Sequence, residues 1–271
     1  VDNIAVDTAT SLGIPVTNVP VYCADEVAEH TLALLLASAR SVCKYNAAMR
    51  FDNWDLGEGA PIQRIRGRTL AILGFGHIGR TLARKARGFD MRIIVHDPYI
   101  DEGTLTDTHV EAVKMDDLFA QADFLSVRTP LTPQTRGLID EDRLRSMKST
   151  AILINCARGA IIDYQALERA LREGWIAGAA ADVFEPEYLA SDHPLLALPN
   201  LIATPHVAFY SEESVLELEV QAAQNVAAIL STRSLVIIVT FPLPVLVVPL
   251  IAPLLTATSL FIHIGTPPQV T

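Results

Sequence analysis

Two periodicities alternate along most of this chain. Short, mostly apolar runs at Thr69–Leu73, Arg92–Val95, Phe124–Val127, Ala151–Asn155, Ala177–Asp182 and Leu201–Thr204 have the length and composition of strands covered on both faces. Between them, Ile78–Arg87, Met115–Gln121, Glu141–Met147 and Tyr164–Glu173 read as helices. Asp163 suits the N-cap of the last of these and Gly174 its C′ position. Two longer amphipathic helices flank the alternation. Ala24–Val42 reads as one helix before it, and Ser211–Leu230 as another after it, with Glu212 and Glu213 in the first turn favouring the helix dipole. The alternation specifies a doubly wound α/β domain on a parallel sheet, with no internal repeat.

The turn after the first strand carries chemistry. Gly74-Phe75-Gly76-His77-Ile78-Gly79 is a G-x-G-x-x-G run between strand and helix, and the next strand leads to Asp97, 18 residues beyond Gly79. In a dinucleotide site, Gly74 allows the tight turn, Gly76 lets backbone approach a pyrophosphate, and Gly79 lets helix and strand pack closely. The helix N-terminus then presents free N–H groups and a positive dipole end to the phosphates. Asp97 is placed to accept from a ribose and would repel a 2′-phosphate, and His96 and Pro98 supply no cation for one. That favours NAD over NADP. An ordinary βαβ turn without a ligand is the bland alternative.

Composition narrows the partners. The 271 residues are half hydrophobic and formally −10, which argues against a nucleic-acid surface. Three cysteines, Cys23, Cys43 and Cys156, have no metal-type spacing and suit a reducing, cytoplasmic setting. The chain opens Val-Asp-Asn-Ile, which reads as mid-protein sequence without a signal peptide. Every Asp, Glu, Lys and Arg lies at or before Arg233. Leu235–Ile264 is long and apolar enough to suggest a membrane span, but Pro242, Pro244, Pro249 and Pro253 oppose a continuous helix. The segment reads as foreign to the domain, as an unusual membrane anchor, or as a disordered extension; the abrupt change in composition favours the first.

Further chemistry follows the later strands, where open α/β sheets place ligands. Asn155-Cys156-Ala157-Arg158-Gly159, Asp182-Val183-Phe184-Glu185-Pro186-Glu187 and Thr204-Pro205-His206 each come directly after a strand. Taken singly, Arg158 reads equally as a surface ion-pair former, Glu187 as a solvated loop charge and His206 as a capped turn residue. Their placement after successive strands of a nucleotide-binding sheet favours convergence on one crevice.

In order, G-x-G-x-x-G, Asp97, Pro130-Leu131-Thr132-Pro133-Gln134-Thr135, N-C-A-R-G, D-V-F-E-P-E and T-P-H resemble the D-isomer-specific 2-hydroxyacid dehydrogenases over approximately Val1 to Leu230. Thr204 to Glu212 is most similar to the C-terminal-binding-protein branch, with phosphoglycerate dehydrogenase a close sibling. The resemblance implies a Rossmann NAD-binding domain and only a remnant of the substrate domain. It divides the chain into residues 1–210 (the NAD domain with a dimerisation helix and arm), 211–231 (a helix returning to the substrate domain) and 232–271 (the apolar tail). It implies hydride transfer between NAD(H) and a small D-2-hydroxy or 2-keto acid. His206 would be the general acid and base, and Glu187, selected over Glu185 by family spacing, would pair with it and stabilise its charged form. Arg158 would hold the substrate carboxylate and carbonyl. Cofactor contacts carry over onto Gly74, Gly76, His77, Ile78, Gly79, Asp97, Thr129, Pro130, Cys156, Ala157, Asp182 and His206. Asp182 would accept from the nicotinamide carboxamide, and Cys156 would contact it through its backbone. A nucleophilic Cys156 is the competing idea, and hydride transfer makes it unnecessary.

Departures from the family pattern are also informative. The chain reads as starting after the family's substrate-binding loop, so turnover is expected to be impaired. Arg128 stands where the family usually has His. The helix Ala24–Val42 and the arm Arg50–Arg66, with apolar Trp54, Ile62 and Ile65, match the elements that clasp a second subunit, which implies a homodimer unless they fold back on their own domain. The alternative function is an NAD(H)-sensing, corepressor-like interaction protein. No membrane partner is expected unless the tail is a genuine anchor.

Overall fold

The computed structural model describes residues 4–100, 105, 109–231 and 238–239. In chain order the strands are β1 (Val16–Thr17), β2 (Thr69–Leu73), β3 (Arg92–His96), β4 (Val110–Ala112), β5 (Phe124–Val127), β6 (Ile152–Asn155), β7 (Gly178–Ala181), β8 (Leu201–Ala203) and β9 (Ile238–Val239). The helices are α1 (Val6–Ser11), α2 (Ala24–Ala39), α3 (Val42–Met49), α4 (His77–Ala86), α5 (Met115–Gln121), α6 (Glu141–Ser146), α7 (Tyr164–Glu173) and α8 (Glu212–Ser231). Contacts divide the chain into two units, Cys23–Phe209 and the pair Val1–Tyr22 with Tyr210–Thr271.

The larger unit holds a seven-stranded, all-parallel sheet in the order β4-β3-β2-β5-β6-β7-β8. The chain runs outward from β2 to β4 and then returns to lay β5 against β2's other edge. The order therefore reverses between β2 and β5, and a crevice opens beyond their carboxyl ends. Alternate residues of each strand feed two buried layers. Ala71 and Leu73 of β2 join Leu125 of β5, Leu153 of β6 and the apolar faces of α5, α6 and α7, including Phe119, Leu144, Leu167 and Leu171. On the other face, α4 lies against β2, where a Cβ on Gly79 would make an ordinary contact of 3.5 Å with Ile72 Cγ2. There α2 packs on α4, β6 and β7. Asp163 caps α7 by accepting from the Gln165 and Ala166 N–H groups, and Gly174 closes it in the left-handed region at φ 71°.

The continuous helix expected over Ala24–Val42 is two helices. Its first part buries Val27, Ala28, Thr31, Leu32, Leu34 and Leu35, but α3 buries no residue. The apolar face that would carry the first helix onward is lost at that point. Ser41 turns left-handed at φ 51° and donates its hydroxyl to the Gly59 carbonyl at 2.9 Å, which sends the chain into α3 and the arm. β4 has too short and polar a sequence, Val-Glu-Ala, to read as a strand without its partner β3.

In the smaller unit, Ala222, Val226 and Ile229 of α8 cluster with Val19. Gln221 and Asn225 donate to the carbonyls of Val21 and Asn18, each at 3.2 Å. The apolar segment Leu235–Ile264 lies outside the described residues except for Ile238 and Val239. Among the described residues, no helix is long and apolar enough to cross a membrane.

Candidate active site

The glycine turn is built by close backbone approach. Gly74 adopts φ +96°, and a Cβ there would lie 2.7 Å from the Arg128 carbonyl carbon and the Thr129 nitrogen. A Cβ on Gly79 would lie 2.6 Å from the Gly74 carbonyl oxygen. The close approach that requires glycine at position 79 is therefore against the turn. Gly76 caps α4, and a Cβ there would meet nothing within 4 Å. Its backbone borders open space at a helix N-terminus, with His77 and Ile78 as the first helical residues, so a phosphate can approach. Asp97 follows β3 directly. Its carboxylate accepts from the Phe75 N–H at 2.7 Å and the Tyr99 N–H at 2.9 Å. The acidic side chain is thus locked onto the glycine loop itself, with acceptor capacity remaining on both oxygens. These features fit a dinucleotide such as NAD.

Across the reversal, β5 leads into Arg128, Thr129 and Pro130. The turn Pro130–Thr135 is fixed internally. Thr135 Oγ1 receives the Thr132 N–H at 2.7 Å and donates to the Pro130 carbonyl at 2.6 Å. The turn after β6 is shaped by Asn155, whose amide donates to the Arg158 carbonyl and accepts from the Ala157 N–H, both at 3.0 Å. Cys156 is buried, and the Thr31 hydroxyl lies 3.7 Å from its sulfur.

Asp182 is the hub of the far side. It is 1% exposed. Oδ1 accepts from the Thr204 hydroxyl at 2.5 Å and the Val207 N–H at 3.0 Å, and Oδ2 from the Ala208 N–H at 2.8 Å. The Asp182 carbonyl receives the His206 N–H at 2.8 Å. Asp182 therefore organises this segment through its carboxylate at Thr204, Val207 and Ala208 and through its carbonyl at His206, which lies in the left-handed region at φ 54°. His30 on α2 joins this group, with Nε2 3.1 Å from Thr204 Oγ1 and 3.6 Å from Asp182 Oδ1.

His206 meets Glu187, whose carboxylate bonds its Nδ1, and its ring stands edge-on to Phe209. The carboxylate in contact is that of Glu187 and not Glu185. Arg158 lies in the turn three residues beyond the end of β6, with Nη1 donating to the Ala157 carbonyl at 2.8 Å. The loop carrying Glu187 is held from below. A Cβ on Gly159 would lie 2.0 Å from the Phe184 carbonyl oxygen, and the Tyr164 hydroxyl donates to the Val183 carbonyl at 2.5 Å. Burial pushes the Tyr164 phenol far above its ordinary range, so it stays a donor.

Sequence reasoning missed His30, Thr31, Tyr164 and the tight fit at Gly159. His30 and Thr31 sit in a helix whose pattern reads only as apolar packing, and nothing local marks their distant partners. Gly159 closes the N-C-A-R-G motif, where a glycine is the local mark of a close backbone approach.

Comparison with known proteins places the domain in a family. A sequence model of the D-isomer specific 2-hydroxyacid dehydrogenase NAD binding domain matches residues 32–208. A glyoxylate reductase from Aeropyrum pernix is 45% identical over 233 residues, covering 84% of this chain and 70% of that protein. A D-3-phosphoglycerate dehydrogenase from Methanocaldococcus jannaschii is 43% identical over 215 residues, 79% of this chain and 41% of the other. Among solved structures, a D-lactate dehydrogenase from Aquifex aeolicus, complexed with NAD and lactic acid, superposes with a TM-score of 0.79 at 30% identity, covering 86% of this chain and 74% of that one.

Proposed function

Because the chain belongs to the D-isomer-specific 2-hydroxyacid dehydrogenases, NAD-dependent oxidoreductases, we propose that it interconverts a small 2-keto acid and its D-2-hydroxy acid, with glyoxylate the first substrate to test. The pairing of Glu187 with His206, at the end of a sheet whose glycine turn fits a dinucleotide, carries the proposal. Gly74, Gly76, His77, Ile78, Gly79, Asp97, Thr129 and Pro130 would hold the adenosine and pyrophosphate. Cys156, Ala157 and Asp182 would hold the nicotinamide. The bound cofactor supplies or accepts the hydride.

The chain's own residues do the rest. Glu187 accepts at Nδ1 of His206, so the proton exchanged with the substrate oxygen is carried on Nε2. Arg158 offers a planar fork of donors for the substrate carboxylate and carbonyl. Asp182 holds the backbone N–H groups of His206, Val207 and Ala208, so the acid is positioned before substrate arrives. Transfer of deuterium from labelled NADH to the product of added glyoxylate, read by mass spectrometry, tests the assignment. An unlabelled product would contradict it.

A second copy of the chain is the proposed partner. Phe51, Trp54 and Leu56 on the arm are 84%, 82% and 83% exposed, large apolar side chains that a second copy would cover. Ile62 and Ile65 are half-buried within their own unit. A monomer by light scattering would remove this proposal without touching the chemistry.

A further inference from the structure

Arg128 follows β5 directly, and its guanidinium is held by neutral groups. Nε donates to the Ser126 hydroxyl at 3.0 Å, Nη1 to the Cys156 carbonyl at 3.3 Å, and Nη2 to the Thr31 hydroxyl. Ser126 and Thr31 are fully buried, and Arg128 is itself half-buried. Among the described residues its bonds include no carboxylate. A guanidinium does not lose its proton in a protein, so this is a permanent charge. Its field is screened less than that of a surface cation, because much of the surrounding space is protein rather than water.

The position of that charge matters because Nη1 is bonded to the backbone of Cys156, in the turn proposed above to hold the nicotinamide. The inference rests on that reading. An oxidised nicotinamide ring carries one positive charge more than a reduced one, so a fixed cation at this turn opposes the oxidised form selectively. Asp182, beyond the end of β7, acts in the opposite sense, and Arg128 offsets it. We propose that Arg128 is a specificity-determining residue for the redox state of the cofactor: it makes the chain hold NADH in preference to NAD+ and biases it toward reducing a keto acid. A neutral side chain at this position lacks that discrimination.

The test is a set of dissociation constants for NADH, NAD+ and ADP-ribose, the last lacking nicotinamide altogether. They are measured by calorimetry on the full chain and on Arg128→Gln and Arg128→Lys. Removing the charge in Arg128→Gln should lower Kd(NAD+)/Kd(NADH) by about tenfold, as expected for one unit charge several ångströms away at intermediate dielectric. Arg128→Lys keeps the charge without the fork and should stay within about threefold of the parent ratio. ADP-ribose affinity should be unchanged throughout. If Arg128→Gln does not fold, Arg128→Met supplies the same comparison. An unmoved ratio in the neutral variant, or an equal shift in Arg128→Lys, would overturn the role of Arg128 while NADH and ADP-ribose still bind. A parent chain that binds neither NADH nor ADP-ribose would instead overturn the cofactor placement, and this inference with it.

Discussion

Glu187 grips Nδ1 of His206, a residue nineteen positions further along the chain and on a different strand-end loop. The pairing fixes which nitrogen is left for chemistry, because a carboxylate at Nδ1 holds the hydrogen there and leaves Nε2 to exchange a proton. Glu187→Gln keeps the shape but removes the charge. It should lower kcat for keto-acid reduction about a hundredfold, within the range for general-acid catalysis, while the Kd for NADH stays within about threefold. Stopped-flow single turnovers give both quantities.

Asp97 anchors the glycine loop and, in the proposed function, also accepts from the ribose. Asp97→Ala takes the partner from the Phe75 and Tyr99 N–H groups and removes the negative charge together. NADH affinity should fall about tenfold, the scale of a hydrogen bond to a charged group. NADPH should lose less, so the ratio of the two dissociation constants narrows. A ratio that stays the same would mean that Asp97 serves the loop alone.

Gly159→Ala places a methyl group where the Phe184 carbonyl oxygen would be 2.0 Å away, so one backbone segment must move. The expected loss is about 2 kcal/mol of unfolding free energy or more, read by urea titration. Because Phe184 begins the segment leading to Glu187, kcat should fall further than NADH affinity does.

Asp123 governs an acid-sensitive part of the stability. Burial pushes its carboxyl up, but the Thr69 N–H, Lys148 and Arg68 outweigh burial and leave it below its ordinary value of 3.8. A carboxyl depressed in the fold contributes stability above its unfolded value, and that stability is lost as pH falls through the folded value. The urea midpoint of the parent should exceed that of Asp123→Asn near neutral pH, and the gap should close below about pH 4. A constant gap would contradict the ion-pair account.

Much of the architecture could be read from the chain because its signals are local. Thr69–Leu73, Phe124–Val127, Met115–Gln121 and Tyr164–Glu173 have the same limits in the sequence pattern and in the structure. Each is bounded by its own apolar run, cap or glycine. The failures share the opposite property. β4 exists through pairing with β3, and the break at Ser41 depends on Gly59, eighteen residues away. At the site, the motifs marked Gly74, Asp97, Asp182, Glu187 and His206. The bracing of Asp182 by His30, and of Arg128 by Thr31, depends on distant partners that no window of sequence displays.

In the proposed function, His206 is the acid in NADH-dependent reduction of a 2-keto acid. The most direct measurement follows NADH oxidation on addition of glyoxylate by the parent and by His206→Asn, with NADH binding measured on the same samples. The account predicts turnover by the parent, a fall of roughly 10²- to 10⁴-fold in His206→Asn, and NADH affinity nearly unchanged between them. Equal rates in the two proteins, with NADH bound by both, would contradict it.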